Sequence, residues 1–155
     1  MAGEVELAAL LCAFLAGSEQ ETRKYFDVNG MSRYVRVDCE TDRHVIEIGL
    51  DGKSASRDSV HQALFFAHLT GKAPAVILID RDGHEGRFEY EMRHVTKAVG
   101  VAYATCSEDF IVRWAQTRAM RQGYAREGRD DLPAQGPAQS LCNLEALRGD
   151  GETGS

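Results

Sequence analysis

The sequence predicts an α/β domain in which a mixed central sheet is flanked by helices, with elements in the order α-β-β-β-α-β followed by a further helix, strand and helix. Three observations carry this. Two alternating runs flank an Asn-Gly pair, and a third follows a short turn. Helical periodicity then sets in, and it gives way to a short, continuously apolar run. The 155 residues suffice for one domain with a continuous core but not comfortably for two.

Residues 4–16 place Val5, Leu7, Leu10, Leu11, Phe14 and Leu15 at helical spacing, ended by Gly17. Runs 22–28 and 31–39 enclose Asn29-Gly30, the strongest short signal for a hairpin. A second tight turn at Thr41-Asp42-Arg43 leads into the strand His44 to Leu50, which completes a meander. From Ser54 to Leu69 the pattern is helical, with Val60, Ala63, Leu64 and Ala67 on the apolar stripe and Thr70-Gly71 as the stop. Ala75 to Ile79 is apolar throughout, as in a strand covered on both faces. The connection into it is expected to be a right-handed crossover. A helix over 89–99, a strand over 101–105 and a last helix capped by Ser107 follow, with Phe110, Ile111, Trp114 and Met120 as its packing residues.

After about Gly123 the composition turns to Gly, Asp, Pro, Gln and Ser. The domain is therefore read as 1–122, with 123–155 as a mostly disordered tail. That tail has a short helical patch near 140–148 and is a possible docking segment for a partner protein. The apolar stretch Leu7 to Ala16 is about half the ~20 residues that span a bilayer, and Glu4 and Glu6 precede it, unlike the basic start of a signal peptide. A cytoplasmic protein that keeps away from membranes is expected. Cys12, Cys39, Cys106 and Cys142 show no metal-ligand spacing, so free thiols are expected.

The formal charge of −6 does not favour a generic nucleic-acid binder. Residues 1–121 carry 18 acidic and 15 basic side chains, and the tail carries the rest of the imbalance.

The candidate chemistry lies in the meander. Residues directly opposed across a turn centred on Asp42-Arg43 have numbers summing to about 85. Asp38 and Glu47 satisfy this, which puts two carboxylates ~5 Å apart on neighbouring strands. Like charges so close need a compensator, and a divalent cation bound through oxygen is the usual one. The spacing leaves open that both are exposed strand residues in salt bridges with Arg36 or Arg43.

The runs Arg36-Val37-Asp38-Cys39 and Ile46-Glu47-Ile48, followed by a helix containing Gln62-Ala63-Leu64-Phe65-Phe66-Ala67, resemble the PD-(D/E)XK nuclease superfamily over residues 20–80. The resemblance implies a restriction-endonuclease-like αβββαβ core and Mg²⁺- or Mn²⁺-dependent hydrolysis of DNA as an endo- or exodeoxyribonuclease. By position, Asp38 and Glu47 would bind metal, Lys53 would position or activate water, and Gln62 would support the site. The sequence departs from the pattern where the family's lysine usually lies, two residues after the Glu; here that residue is Gly49. Lys53 would be ~20 Å from Glu47 in a straight strand. It comes within reach only if the chain bends at Gly49 or Gly52 into the helix.

Glu21 and Asp51 are lesser candidates for a further carboxylate. His61 and His68 share a helix face around Phe65 and read better as packing residues than as ligands; His84 and His94 lack a partner. No hydrolase triad or phosphate-binding glycine motif is present. The rival expectation is a nuclease fold without catalysis, serving nucleic-acid binding or protein assembly. Gly49 and the acidic balance favour it.

Overall fold

In the computed structural model, which describes residues 3–15, 18–117, 120 and 142–147, Asn29 and Gly30 both take positive φ, 51° and 75°. This is the turn geometry that matches the twist of two antiparallel strands. It joins β1 (Glu19–Val28) to β2 (Met31–Glu40), paired from Val28↔Met31 to Glu19↔Glu40. β3 (His44–Leu50) returns antiparallel to β2, with Cys39↔Ile46 and Glu40↔Val45 in register. β4 (Ala73–Asp80) and β5 (Ala102–Ser107) then add in parallel. β6 (Cys142–Asn143) closes the far edge antiparallel to β5. The six strands stand in sequence order in one mixed sheet.

α1 (Glu4–Phe14) and α4 (Glu108–Gln116) cover one face. There Leu7, Leu11 and Ile111 pack on Ile46, Ile48, Ile77 and Ile79. α2 (Asp58–Thr70), preceded by a 3-10 turn over Ser54–Arg57, and α3 (Arg87–Val99) cover the other. Val60, Ala63 and Met92 meet Val76 and Leu78, while Phe66 meets Val37 and Val45. Every residue of β3 is buried, as expected for a strand sandwiched between two helical layers. Gly71 and Gly100 end α2 and α3 in the left-handed conformation that glycine tolerates best.

At the mouth of the hairpin, Glu40 takes Lys24 at 2.8 Å and Lys72 at 2.8 Å, and Thr22 donates to it at 2.7 Å. This tie joins β1 and β2 to the start of β4. The two lysines hold the Glu40 carboxyl down at about 2 against its burial.

Several expectations change. The four cysteines are paired, Cys12 with Cys39 and Cys106 with Cys142, so the free-thiol expectation is overturned and with it one ground for a reducing compartment. The first pair binds α1 to β2, and the second holds β6 on β5. Residues 142–147 therefore belong to the folded body rather than to a disordered tail, with a 3-10 turn over Glu145–Leu147 and Leu147 buried. The rest of 123–155 lies outside the described residues. Leu64 and Met120 are exposed rather than core. Trp114 is half-buried, its ring edge-on to Phe14. Ser107 stands at the start of α4 without a side-chain capping bond. Among the described residues no helix is long and apolar enough to cross a membrane.

Candidate functional site

The ladder between β2 and β3 stops at Cys39↔Ile46, and one step further on side chains take the place of backbone bonds. The Ile48 N–H donates to Asp38 Oδ2 at 2.9 Å. The Asp38 N–H reaches Glu47 Oε1 at a long 3.4 Å. Glu47 starts on the α2/α3 side of β3, since Ile46, Ile48 and Leu50 take the α1/α4 side. The opened ladder nevertheless lets its carboxyl turn onto the Asp38 backbone N–H, close enough for the Asp38 charge to act on it. The pairs Cys39↔Ile46 and Glu40↔Val45 sum to 85 as the turn predicts, but Asp38 and Glu47 lie one step past them and are linked through side-chain-to-backbone bonds rather than as directly opposed ladder partners.

Both carboxyls are shifted upward. Burial is the main cause for Glu47, which is 4% exposed, and the Asp38 charge adds to it, moving Glu47 to about 9. Asp38 is raised by burial against the Ile48 hydrogen bond that favours its charged form, with Glu4 and Glu21 adding repulsion. Two neighbouring buried carboxyls cannot both ionise cheaply, so burial and the Asp38 charge favour a proton on Glu47 at neutral pH. Replacing that proton with a cation is the alternative the chemistry allows. The donors are all oxygens, which suits a hard ion such as Mg²⁺ or Mn²⁺.

Asp38 opens onto a cavity of about 250 Å³ lined also by Glu4, Val5, Ala8, Ala9, Gln20, Glu21 and Ile48. Its wall is α1, held in place by the Cys12–Cys39 bridge and by the Gln20 side chain donating to Ala9 O at 3.0 Å. Glu21 sits at φ 51°, an uncommon conformation for a residue with a Cβ. It marks a slip in side-chain alternation. Gln20 faces α1, yet Thr22 bonds to Glu40 and Phe26 packs on Phe65 of α2.

Lys53 follows β3 through a turn with Gly52 at φ 72°. Its Nζ lies 3.6 Å from Glu4 Oε2, which brings the ammonium to the rim of the cavity. Among the described residues it pairs with neither site carboxylate. At Gly49 a Cβ would stand 3.1 Å from Leu78 Cδ2 and 3.1 Å from Ser56 Oγ, so any larger residue there requires these side chains to shift by a few tenths of an ångström. Gln62 is exposed on α2 and is not among the residues lining the Asp38 cavity. The structure brings Asp38 and Glu47 together, sets Glu4 with its Lys53 partner on the wall of the Asp38 cavity, and leaves Gln62 out.

Glu4 was missed as a site residue. The usable signal was a first-turn acid on a helix whose Leu7 and Leu11 point inward. Asp51 belongs elsewhere. It joins Asp80 and Asp82 in a cluster whose oxygens lie within 4.8 Å of one another, and burial with these neighbours moves Asp51 up to about 6. His61 and His68 are both exposed. His94 packs at a tilt against Tyr90, ring centroids 4.5 Å apart, and His84 lines a larger cavity with Asp51, Asp80 and Glu89.

No family model matches the chain, and no curated protein and no solved structure matches it either.

Proposed function

We propose that this chain is a divalent-metal-dependent nuclease of the PD-(D/E)XK type that hydrolyses phosphodiester bonds of DNA. The observation that carries the reading is the convergence of two largely buried acids, Asp38 and Glu47, from adjacent strands, with Ile48 N–H donating to Asp38, Asp38 N–H reaching Glu47, and Asp38 opening onto a cavity. The order α1-β1-β2-β3-α2-β4 agrees with the αβββαβ core that the resemblance implies.

Asp38 and Glu47 would hold Mg²⁺ or Mn²⁺. Such an ion, when bound, supplies a lowered pKa for its water and neutralises charge on a phosphate. The backbone N–H of Ile48 fixes the Asp38 carboxyl, so one ligand is oriented before anything binds. Glu47, buried behind it, is shielded from bulk water. Lys53 can leave Glu4 for a phosphate oxygen at the rim, because a surface ion pair holds it only weakly. Among the described residues no contact supports a role for Gln62.

Purified protein is expected to nick supercoiled plasmid with Mg²⁺ or Mn²⁺ and to stop in EDTA. Asp38→Ala is expected to abolish cleavage, and Lys53→Ala to slow it by roughly 10²-fold, as for loss of one acid–base or charge-stabilising group. Intact plasmid with folded wild-type protein and either ion would contradict the reading.

A second reading, a nuclease fold serving nucleic-acid binding or protein assembly without catalysis, is favoured by Gly49 and by the acids Glu4 and Glu21 at the cavity mouth. A folded chain that takes up neither ion in a calorimetric titration supports it over the first.

A further inference from the structure

The hairpin of β1 and β2 carries a set of residues that the chemistry at Asp38 does not use. α2 covers one side of it. Phe26 stands edge-on to Phe65 at 5.2 Å, Val35 packs against the same helix, and Val37 is fully buried against Phe66. The register then places Arg23, Tyr25, Tyr34 and Arg36 together on the opposite side, with Arg23 across from Arg36 and Tyr25 across from Tyr34. All four are exposed, Tyr25 by 63% and Tyr34 by 47%. The two rings are 5.8 Å apart and tilted by 50°, and the Arg23 guanidinium lies 4.9 Å over Tyr34. Neither arginine meets a carboxylate among the described residues.

Taken by twos along β2, Tyr34, Arg36 and Asp38 share this side, each step being ~7 Å. The row of ring, cation and acid therefore ends at the cavity that Asp38 lines with Gln20 and Glu21. β1 mirrors it with Tyr25, Arg23 and Glu21.

We infer that this face of the hairpin binds a single-stranded segment of nucleic acid, with bases against Tyr25 and Tyr34 and phosphates on Arg23 and Arg36, and delivers its backbone to Asp38. Exposed aromatic faces stack on bases that a duplex hides inside its helix, and two guanidiniums free of carboxylates complement phosphate charge. The net charge of −6 argues against wrapping a duplex, which needs many cations. A short single strand needs only the local pair. What happens at Asp38 rests on the phosphodiesterase reading; binding rests on the hairpin alone.

Fluorescence anisotropy tests this with the full chain, a labelled single-stranded 20-mer, and its duplex, all in EDTA. The single strand is expected to bind at least tenfold more tightly than the duplex. Arg23→Ala with Arg36→Ala should weaken it more than tenfold and lower the slope of log affinity against log salt by about 1.4, as for two phosphate contacts on a single strand. Tyr25→Ala with Tyr34→Ala should weaken it by tenfold or more. Arg33→Ala, an exposed arginine in register with Phe26, should change nothing, and unchanged melting profiles exclude misfolding of the variants.

Equal affinity for duplex, or unaltered binding by both double variants, overturns the inference. So does no oligonucleotide binding together with a sedimentation change in the tyrosine variant, which would make the face a contact between copies. The two readings fail separately. A wild-type chain that binds the single strand in EDTA but never cuts with Mg²⁺ or Mn²⁺ keeps the platform and loses the nuclease. A chain that cuts equally well with both arginines removed does the reverse.

Discussion

Glu47 is the residue on which stability and function pull in opposite directions. Its folded pKa of about 9 lies far above the usual 4.5. From pH 4.5 upward the unfolded chain gives up a proton that the fold retains, so Glu47 favours the fold most at low pH and progressively less as pH climbs toward 9. Glu47→Gln keeps the shape and removes the titration. In EDTA at pH 8 that variant should be more stable than wild type, with a flatter stability profile between pH 5 and 8 by chemical denaturation; an unchanged slope would contradict the shift. Glu40 has the opposite sign. Its pKa of about 2 means that its lysine pairs stabilise fully above pH 4.5 and fail as pH falls from there toward 2. Lys72→Met should remove about 2 kcal/mol at pH 7, allowing for the part-open lysines, and less at pH 3. Gly49→Ala tests the close packing beside Leu78 and Ser56, and a loss of about 1–3 kcal/mol is expected from overpacking.

Among the elements, the hairpin and the buried third strand were readable because their signals are local. Asn29-Gly30 sets one register, the turn at Asp42-Arg43 the next, and β3 follows without further choice. That was enough to place Asp38 against Glu47. The disulfides were not readable, since Cys12 and Cys39 are brought together by α1 packing across β2 and nothing local to either cysteine signals it. β6 was missed for a similar reason. A two-residue strand has no period, and what fixes it is the bond from Cys142 to Cys106. Glu4 enters the site only because α1 is docked there, and Gln62 fails to enter because α2 presents other residues to the sheet. The Cys12–Cys39 link closes a 27-residue separation and should contribute roughly 3 kcal/mol by restricting the unfolded chain. Cys12→Ser with Cys39→Ser should lower the unfolding midpoint accordingly. If stability is unaltered, the link does not hold α1 in solution.

At the scale of the molecule, one sheet joins a buried acid pair, a cavity walled by α1 and an outward basic-aromatic hairpin. A separate acidic group, Asp51, Asp80 and Asp82, stands at the carboxyl ends of β3 and β4. This grouping matters for any metal titration, because a second cluster of oxygens can contribute heat of its own. The difference between wild type and Glu47→Gln removes that contribution. Calorimetric titration of Mn²⁺ into both proteins at pH 7, in two buffers of unlike ionisation heat, addresses the acid pair directly. The wild-type isotherm should contain one site that the Glu47→Gln isotherm lacks, and binding there should release close to one proton as the ion displaces the hydrogen on Glu47. Identical isotherms for the two proteins, or binding without proton release, would contradict a cation held between Asp38 and Glu47.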